Sequence, residues 1–93
     1  MRRYSSSFGP VELTDERLRH ILIFHPELRA QVKHFAAILI SPAIICCSKT
    51  DTKVFIHYKL LRKKKYLAIV VKTNHRNFIL TAYLTTKIQH KPL

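Results

Sequence analysis

The chain has 93 residues, of which 47% are hydrophobic and 24% are charged. This length has room for one domain with a modest core, and the composition is globular rather than disordered or collagen-like. The charge balance is unusual, because 17 lysines and arginines stand against 5 aspartates and glutamates, a formal net charge of +12. Such a chain repels itself, so we expect a polyanionic partner: nucleic acid, an anionic membrane or an acidic protein.

The sequence has no segment that we expect to enter a membrane or to direct export. The longest weakly polar run, Phe35 to Cys47, is interrupted by Ser41 and Pro42 and is shorter than the roughly 20 residues of a spanning helix. The basic N-terminus lacks the apolar core of a signal peptide, which predicts a cytoplasmic, reducing location. Adjacent Cys46 and Cys47 fit neither a disulfide nor a zinc knuckle, so we expect both to be structural strand residues.

The first elements along the chain are a lead-in and two helices. Residues 1–13 lack periodicity and predict a poorly ordered lead-in, followed by a single domain over 14–93. Thr14 is a good N-cap for a helix over Asp15–Phe24, and the acidic first turn favours that start. The apolar residues keep a helical period as far as Leu39, but Pro26 interrupts it. This predicts a second helix over Pro26–Leu39, with a single kinked helix as the alternative.

After Ser41 and Pro42 the pattern changes from helical to alternating. Segments rich in β-branched and aromatic residues predict four strands: Ile44–Cys47, Val54–Leu60, Tyr66–Lys72 and Phe78–Leu84. Their short connections predict antiparallel hairpins. The expected fold class is therefore α+β, with two N-terminal helices packed on one face of a roughly four-stranded antiparallel sheet and the other face left available.

Alternation in the last strand separates two sets of side chains. One set is the predicted core: Phe78, Leu80, Ala82 and Leu84. The hydroxyl groups of Thr81 and Tyr83 point the other way, with a spacing that fits phosphate oxygens, although such residues also face water in ordinary strands. In the strand Val54–Leu60, Lys59 offers either a cation that stabilises a phosphate transition state or a solubilising charge.

The first helix carries Arg17 and His20 three residues apart, so they are neighbours on its surface, with Phe24 one turn further on. A cation beside a ring that titrates near neutral pH suits acid–base catalysis on a phosphodiester, although such pairs also occur on ordinary polar helix faces. His25 follows the apolar stripe, and we expect it to be a helix-end or core histidine.

The densest charge in the chain is expected at a hairpin tip. It is the run Arg62, Lys63, Lys64 and Lys65, which is either a solvated turn or a contact for the phosphate backbone of a nucleic acid. The sequence has no metal-site motif and no glycine-rich nucleotide loop, so we expect neither a metal nor a cofactor.

Three motifs follow one another in the sequence: Arg-x-x-His-Ile from Arg17, His-Pro-Glu from His25 and Phe-Ile-x-Thr-Ala-Tyr from Phe78. Together they resemble the small phage- and bacteria-associated branch of the barnase, EndoU, colicin and RelE-like nuclease superfamily. The resemblance implies helices followed by an antiparallel sheet and metal-independent RNA cleavage, often by the toxin of a toxin–antitoxin pair. The chain departs from the pattern at Leu18, where we expect an aromatic residue.

The resemblance also implies roles for individual residues. His20 would be the acid–base residue, Arg17 a phosphate clamp, and Thr81 and Tyr83 the hydroxyl-bearing end of the site. Lys59 would be the strand cation, with Lys53 and Arg62 as alternatives. We therefore expect Arg17 and His20 to meet the three strand residues in one groove.

These expectations define one leading function and two alternatives. The leading function is an endoribonuclease in which the ribose 2′-OH attacks the adjacent phosphorus to give a 2′,3′-cyclic phosphate. Its partners would be RNA and an acidic antitoxin protein, with no membrane. The first alternative is a non-catalytic basic module that binds RNA or DNA, with Tyr66 available for stacking. The second is a basic protein held by an acidic partner.

Overall fold

The computed structural model describes residues 1–88 and 91–93. Its helices are α1 (Asp15–Phe24) and α2 (Phe35–Ile40), separated by two 3₁₀ turns, Pro26–Ala30 and Val32–His34. Its strands are β1 (Arg2–Tyr4), β2 (Val11–Leu13), β3 (Ile44–Cys47), β4 (Val54–Arg62), β5 (Lys65–Lys72), β6 (Asn77–Thr85) and β7 (Lys91–Pro92).

The predicted α+β class is confirmed, but the sheet is larger than predicted. The strands of the described residues form one seven-stranded sheet in the order β1-β2-β6-β5-β4-β3-β7. The four predicted strands are β3 to β6, and they pair as antiparallel neighbours. The sheet as a whole is mixed, because β2 runs parallel to β6.

The N-terminal residues are part of the sheet, and the expectation of a poorly ordered lead-in is wrong. β1 pairs with β2, and Val11 and Leu13 of β2 are buried in the core. The Ser and Gly residues between these strands build a tight turn, in which the Ser6 hydroxyl donates to the Gly9 carbonyl at 2.8 Å. Gly9 has a φ of 94°, which a residue with a Cβ rarely adopts.

Helix α1 has its predicted bounds, whereas the second predicted helix is divided. The Thr14 hydroxyl accepts a hydrogen bond from the Arg17 amide at 3.1 Å and caps α1. Pro26 cannot donate a helical hydrogen bond, and the chain continues in 3₁₀ turns before α2 begins at Phe35. This path buries both Leu28 and Phe35 in the core.

The sheet has a helix-facing face and a second face. The helix-facing face carries the main core, in which residues of β5 and β6 pack against Ile21 of α1 and residues of the second helical segment: Leu67, Ile69, Val71, Ile79, Ala82, Leu28, Phe35, Ile38 and Leu39. The second face carries a smaller cluster that is partly covered by Ile88: Cys46, Ile56, Tyr58 and Ala68. The second face is therefore less open than the sequence predicted.

A β-bulge in β6 changes the predicted faces of that strand. Val70 pairs with Thr81 and Val71 pairs with Ile79, so Leu80 is the extra residue. Ile79 consequently joins Ala82 in the main core, and the predicted core position of Phe78 is wrong, because it lies on the second face beside Glu12. Leu80 also falls outside the core.

The predictions for the two cysteines agree with their surroundings. Both thiols are free; Cys46 is fully buried in β3 and Cys47 is half-buried. Burial raises the pKa of the Cys46 thiol, which disfavours the reactive thiolate.

No helix in the described part of the chain is long and apolar enough to cross a bilayer.

Candidate functional site

A groove forms where α1 lies along the edge of β6. Strand β2 pairs with β6 only through Asn77 and Phe78, so from Ile79 onward this edge has no neighbouring strand among the described residues. Helix α1 follows β2 almost directly and packs on β6. The resulting groove encloses about 420 Å³ and is lined by Arg17, His20, Ile21, Phe24, His25, Leu80 and Thr81.

The groove brings together three of the five residues that the sequence analysis expected to meet there. Arg17 and His20 reach it from the helix and Thr81 reaches it from the strand. Tyr83 lies two residues beyond Thr81 on the same face of the sheet, and the centroid of its ring is 6.5 Å from that of His25. Arg17, His20 and Thr81 therefore line one groove, and Tyr83 lies near it beside His25.

The two histidines of the groove differ in their surroundings. His20 is exposed, and its ring centroid lies 4.8 Å from that of Phe24. The side chain of His25 is 34% exposed, and its Nδ1 lies 3.6 Å from a carboxylate oxygen of Glu27.

His25 lines the groove, a position that the sequence did not predict. It is a helix-end residue as predicted, because its backbone amide donates to the Ile21 carbonyl at 2.7 Å. Its side chain nevertheless lines the groove rather than the core. The signal that could have revealed this is Pro26, since a helix that ends before a proline no longer holds the next side chain on its apolar stripe.

Lys59 does not line the groove, contrary to the expectation, and its side chain lies on the opposite face of the sheet from Thr81. It pairs with Leu67, which belongs to the helix-facing face, whereas Thr81 pairs with Val70 on the second face. Strand β5 also separates β4 from β6. The Lys59 ammonium group donates to the Ser41 carbonyl at 3.4 Å. The alternatives Lys53 and Arg62 do not line the groove either.

Arg17 is the cation at the centre of this surface. Besides the groove, it lines a cavity of about 460 Å³ that it shares with Arg19 and His20 of α1. It also lines a cavity of about 470 Å³ beside Arg76 and Phe78. A guanidinium group at the junction of three depressions is well placed to hold a phosphate between them.

The basic run forms the tip of the β4–β5 hairpin, as predicted. Arg62 ends β4, Lys65 begins β5, and Lys64 has a φ of 58° in the turn between them. Tyr66 follows the tip and pairs with Thr85 of β6. Thr85 lies four residues after Thr81, a distance of about 13 Å along the strand. The basic tip and the groove are therefore joined by the second half of β6.

No protein family matches the chain, and neither a curated protein nor a solved structure is significantly similar to it. Among the described residues, no group of three or more His, Cys, Asp or Glu side chains is arranged to hold a metal ion.

Proposed function

We propose that the chain is a metal-independent endoribonuclease of the barnase, EndoU, colicin and RelE-like superfamily, with the groove between α1 and β6 as its active site. The observation that carries the proposal is the set of side chains that line this groove: two histidines, one arginine and one strand hydroxyl group. Cleavage of RNA without a metal needs a proton acceptor, a proton donor and a cation for the phosphate. The groove supplies all three.

The proposed reaction is an internal transfer of the phosphoryl group. One histidine accepts the proton of the ribose 2′-OH, and the 2′ oxygen then attacks the adjacent phosphorus. The bond from phosphorus to the 5′ oxygen breaks, and the other histidine donates a proton to that leaving oxygen. The products are a 2′,3′-cyclic phosphate and a free 5′-OH.

The other residues of the site stabilise charge rather than transfer protons. The guanidinium group of Arg17 offsets the negative charge that builds on the phosphate oxygens in the transition state. The hydroxyl groups of Thr81 and Tyr83 donate hydrogen bonds to the same oxygens or to the ribose. His20 and His25 share the two proton transfers.

The surface around the groove fits both RNA and an acidic protein partner. The net charge of +12 attracts the phosphate backbone. The side chains of Ile23 and Phe24, which are 68% and 66% exposed, add apolar surface beside the groove. Exposed apolar residues among cations suit an acidic protein that covers the groove. We therefore extend the proposal to a cytoplasmic toxin that an acidic antitoxin neutralises.

The test is cleavage of a single-stranded RNA by wild-type protein and by His20→Ala in the presence of EDTA. We expect cleavage by the wild type and a rate lower by about 10²-fold or more in the variant, because a positioned proton-transfer group is lost. His34→Ala is the matched control, since His34 is an exposed histidine on a 3₁₀ turn away from the groove lining. An RNA with 2′-deoxyribose at the cleaved position should bind and stay intact.

Equal rates for His20→Ala and the wild type would remove His20 from the mechanism.

The basic hairpin tip favours a second candidate, a binding module without catalysis. Both candidates predict that affinity for RNA falls as the salt concentration rises. A plot of the logarithm of the binding constant against the logarithm of the salt concentration should have a slope of about −0.7 for each phosphate contacted. The variant Lys63→Gln, Lys64→Asn, Lys65→Gln should flatten that slope, and asparagine tolerates the positive φ of residue 64. Salt-dependent binding without any cleavage would establish the binding module.

A further inference from the structure

His57 is a buried titratable residue that has no part in the proposed reaction. It belongs to β4, and its exposed fraction is 0%. Among the described residues, neither of its ring nitrogens has a hydrogen-bond partner. A buried polar group without a partner is costly, because it has lost its hydrogen bonds with water. The fold therefore keeps at this position a group that would gain hydrogen bonds if its cover were removed.

The cover over His57 is part of the N-terminal segment. We call residues 1–10, which comprise β1 and the turn that follows it, the N-terminal latch. The centroid of the Phe8 ring lies 5.7 Å from that of His57, with the rings at 83°, and 4.6 Å from that of Phe55. The Asn77 side chain donates a hydrogen bond to the Phe8 carbonyl at 2.7 Å. These contacts hold the Phe8 ring over His57.

Strand β1 is the weakly held part of the latch. It has three residues, lies at the edge of the sheet and has β2 as its paired neighbour. Two of its three residues are exposed, and short elements with few buried contacts open more readily than the rest of a fold. Strand β2 is held more firmly, because Val11 and Leu13 are buried in the core. Separation of β1 from β2 would therefore release Phe8 from His57 while β2 keeps its place.

In the described part of the chain, no carboxylate is placed to stabilise a proton on His57. The turn over residues 5–10 and helix α2 pack on this part of β4, and neither contains a titratable side chain. On the neighbouring strands, His57 pairs with Ile45 and Ile69. On β4 itself, the same face carries Lys59, whose charge has the same sign as that of a protonated imidazole. Burial lowers the pKa of His57 more than the nearby backbone of Ile69 raises it.

We propose that the N-terminal latch is a pH-sensitive cover, which closes over the neutral imidazole of His57 and opens when that ring is protonated. In the closed form, a protonated ring would have two buried N–H donors and no acceptor for them. In the open form, water solvates both donors. A fall in pH therefore shifts the protein towards the open form, which also uncovers the apolar ring of Phe55. The latch would work in this way whether or not the protein cleaves RNA.

The first experiment is an NMR titration of the wild-type protein from about pH 7.5 to about pH 4, a range that includes the ordinary pKa of histidine, about 6.5. The reporters are the ring signals of His57 and Phe8 and the side-chain amide signals of Asn77. We expect all three to change with one midpoint, about one to two pH units below 6.5. Such a midpoint corresponds to a latch that is open in about 1–10% of molecules at neutral pH.

The amide signals of β5 report whether the rest of the fold stays intact. They should keep their native dispersion through the transition, because β5 lies in the middle of the sheet. Loss of the β5 signals at the same midpoint would show that the whole protein unfolds, and it would overturn the latch. Signals of Phe8 and Asn77 that stay constant while His57 titrates would overturn it as well.

Two histidine variants test whether His57 is the group that takes up the proton. His57→Leu keeps an apolar side chain under Phe8 but cannot titrate, so the transition at Phe8 and Asn77 should be absent. His75→Gln is the matched control, because His75 is an exposed histidine that lines a cavity beside Pro10 of the latch. This variant should keep the wild-type transition. A transition that persists in His57→Leu, or one that is lost in His75→Gln, would assign the proton to another group and overturn the proposal.

The second experiment changes the cover and leaves His57 in place. In Phe8→Ala the ring over His57 is lost, so the midpoint of the His57 titration should rise to within about half a pH unit of 6.5. Phe8→Leu keeps an apolar cover, and its midpoint should stay close to that of the wild type. Equal midpoints for Phe8→Ala and the wild type would show that Phe8 does not control the access of water to His57, which would overturn the latch even if His57→Leu does not fold.

Discussion

His25 and His57 lie in opposite surroundings in the same small fold. His25 lines the groove at the edge of β6, with Tyr83 and Glu27 nearby and about a third of its side chain exposed. His57 lies on β4 and pairs with Ile69, and its exposed fraction is 0%. The ring of Phe8 covers it, with the two ring centroids 5.7 Å apart. Burial lowers the pKa of His57, so its imidazole stays neutral inside the protein.

The difference shows that the accessibility of each imidazole ring depends on which element packs beside it. At β4, the turn between β1 and β2 brings Phe8 over Phe55 and His57 and closes that surface. At β6, helix α1 lies along the edge and leaves a groove beside the strand. Proton transfer to a substrate requires the second arrangement, because a ring without access to the substrate cannot exchange protons with it.

The largest expected effect concerns the groove. His25→Ala should lower the rate of RNA cleavage by about 10²-fold or more, because it removes one of the two proposed proton-transfer groups. The thermal midpoint should stay close to that of the wild type, since a partly exposed side chain is lost. Cleavage at the wild-type rate would show that His20 acts without this partner.

The next effect concerns the helix-facing core beside His57. Ile69→Ala should lower the free energy of unfolding by about 2–5 kcal/mol, because the Ile69 side chain is 0% exposed and its loss leaves a cavity. Urea unfolding at neutral pH measures this difference. Val70→Ala is the matched control, since Val70 is the next residue, half-buried on the second face. A loss at residue 70 as large as that at residue 69 would contradict the division into a closed face and a more open one.

A smaller effect is expected from the titration of His57. Its pKa is lowered in the folded protein, so below a pH of about 6.5 the unfolded chain binds a proton that the folded chain resists. The titration of His57 therefore does not lower the free energy of unfolding above that pH. Below it, the free energy of unfolding decreases as the pH falls, by at most about 1.4 kcal/mol per pH unit. His57→Leu should show a flatter loss of stability than the wild type in urea unfolding between neutral and mildly acidic pH. Parallel curves for the two proteins would contradict this assignment.

The smallest effect is expected at the half-buried cysteine. Cys47→Ala should change the free energy of unfolding by less than about 1 kcal/mol and should leave RNA cleavage unchanged. Cys46→Ala should cost more stability, because Cys46 is fully buried in the cluster of the second face. Loss of cleavage in either variant, with the fold intact, would show that a thiol contributes to the reaction.

The local signals in the sequence determined much of the architecture. Thr14 and the acidic first turn specify where α1 begins, and Pro26 specifies where it ends; these signals act within a few residues, so they can be read without the rest of the chain. Strands β3 to β6 and the basic hairpin tip were predictable for the same reason. Arg17, His20 and Thr81 could therefore be expected near one another.

The remaining features depend on pairing between distant segments. Strands β1 and β2 have three residues each, too few for a periodic pattern, and β2 extends the sheet by pairing with β6, far along the chain. The bulge at Leu80 moves Phe78 to the second face, because a shift of one residue reverses the direction of every side chain before it. The pairing of β4 with β5 places Lys59 opposite Leu67, away from the groove, and the pairing of β2 with β6 sets Glu12 beside Phe78. The sequence therefore determined which chemical groups are present, whereas the tertiary structure decided which of them meet, because the face of a strand residue depends on the register with its neighbours.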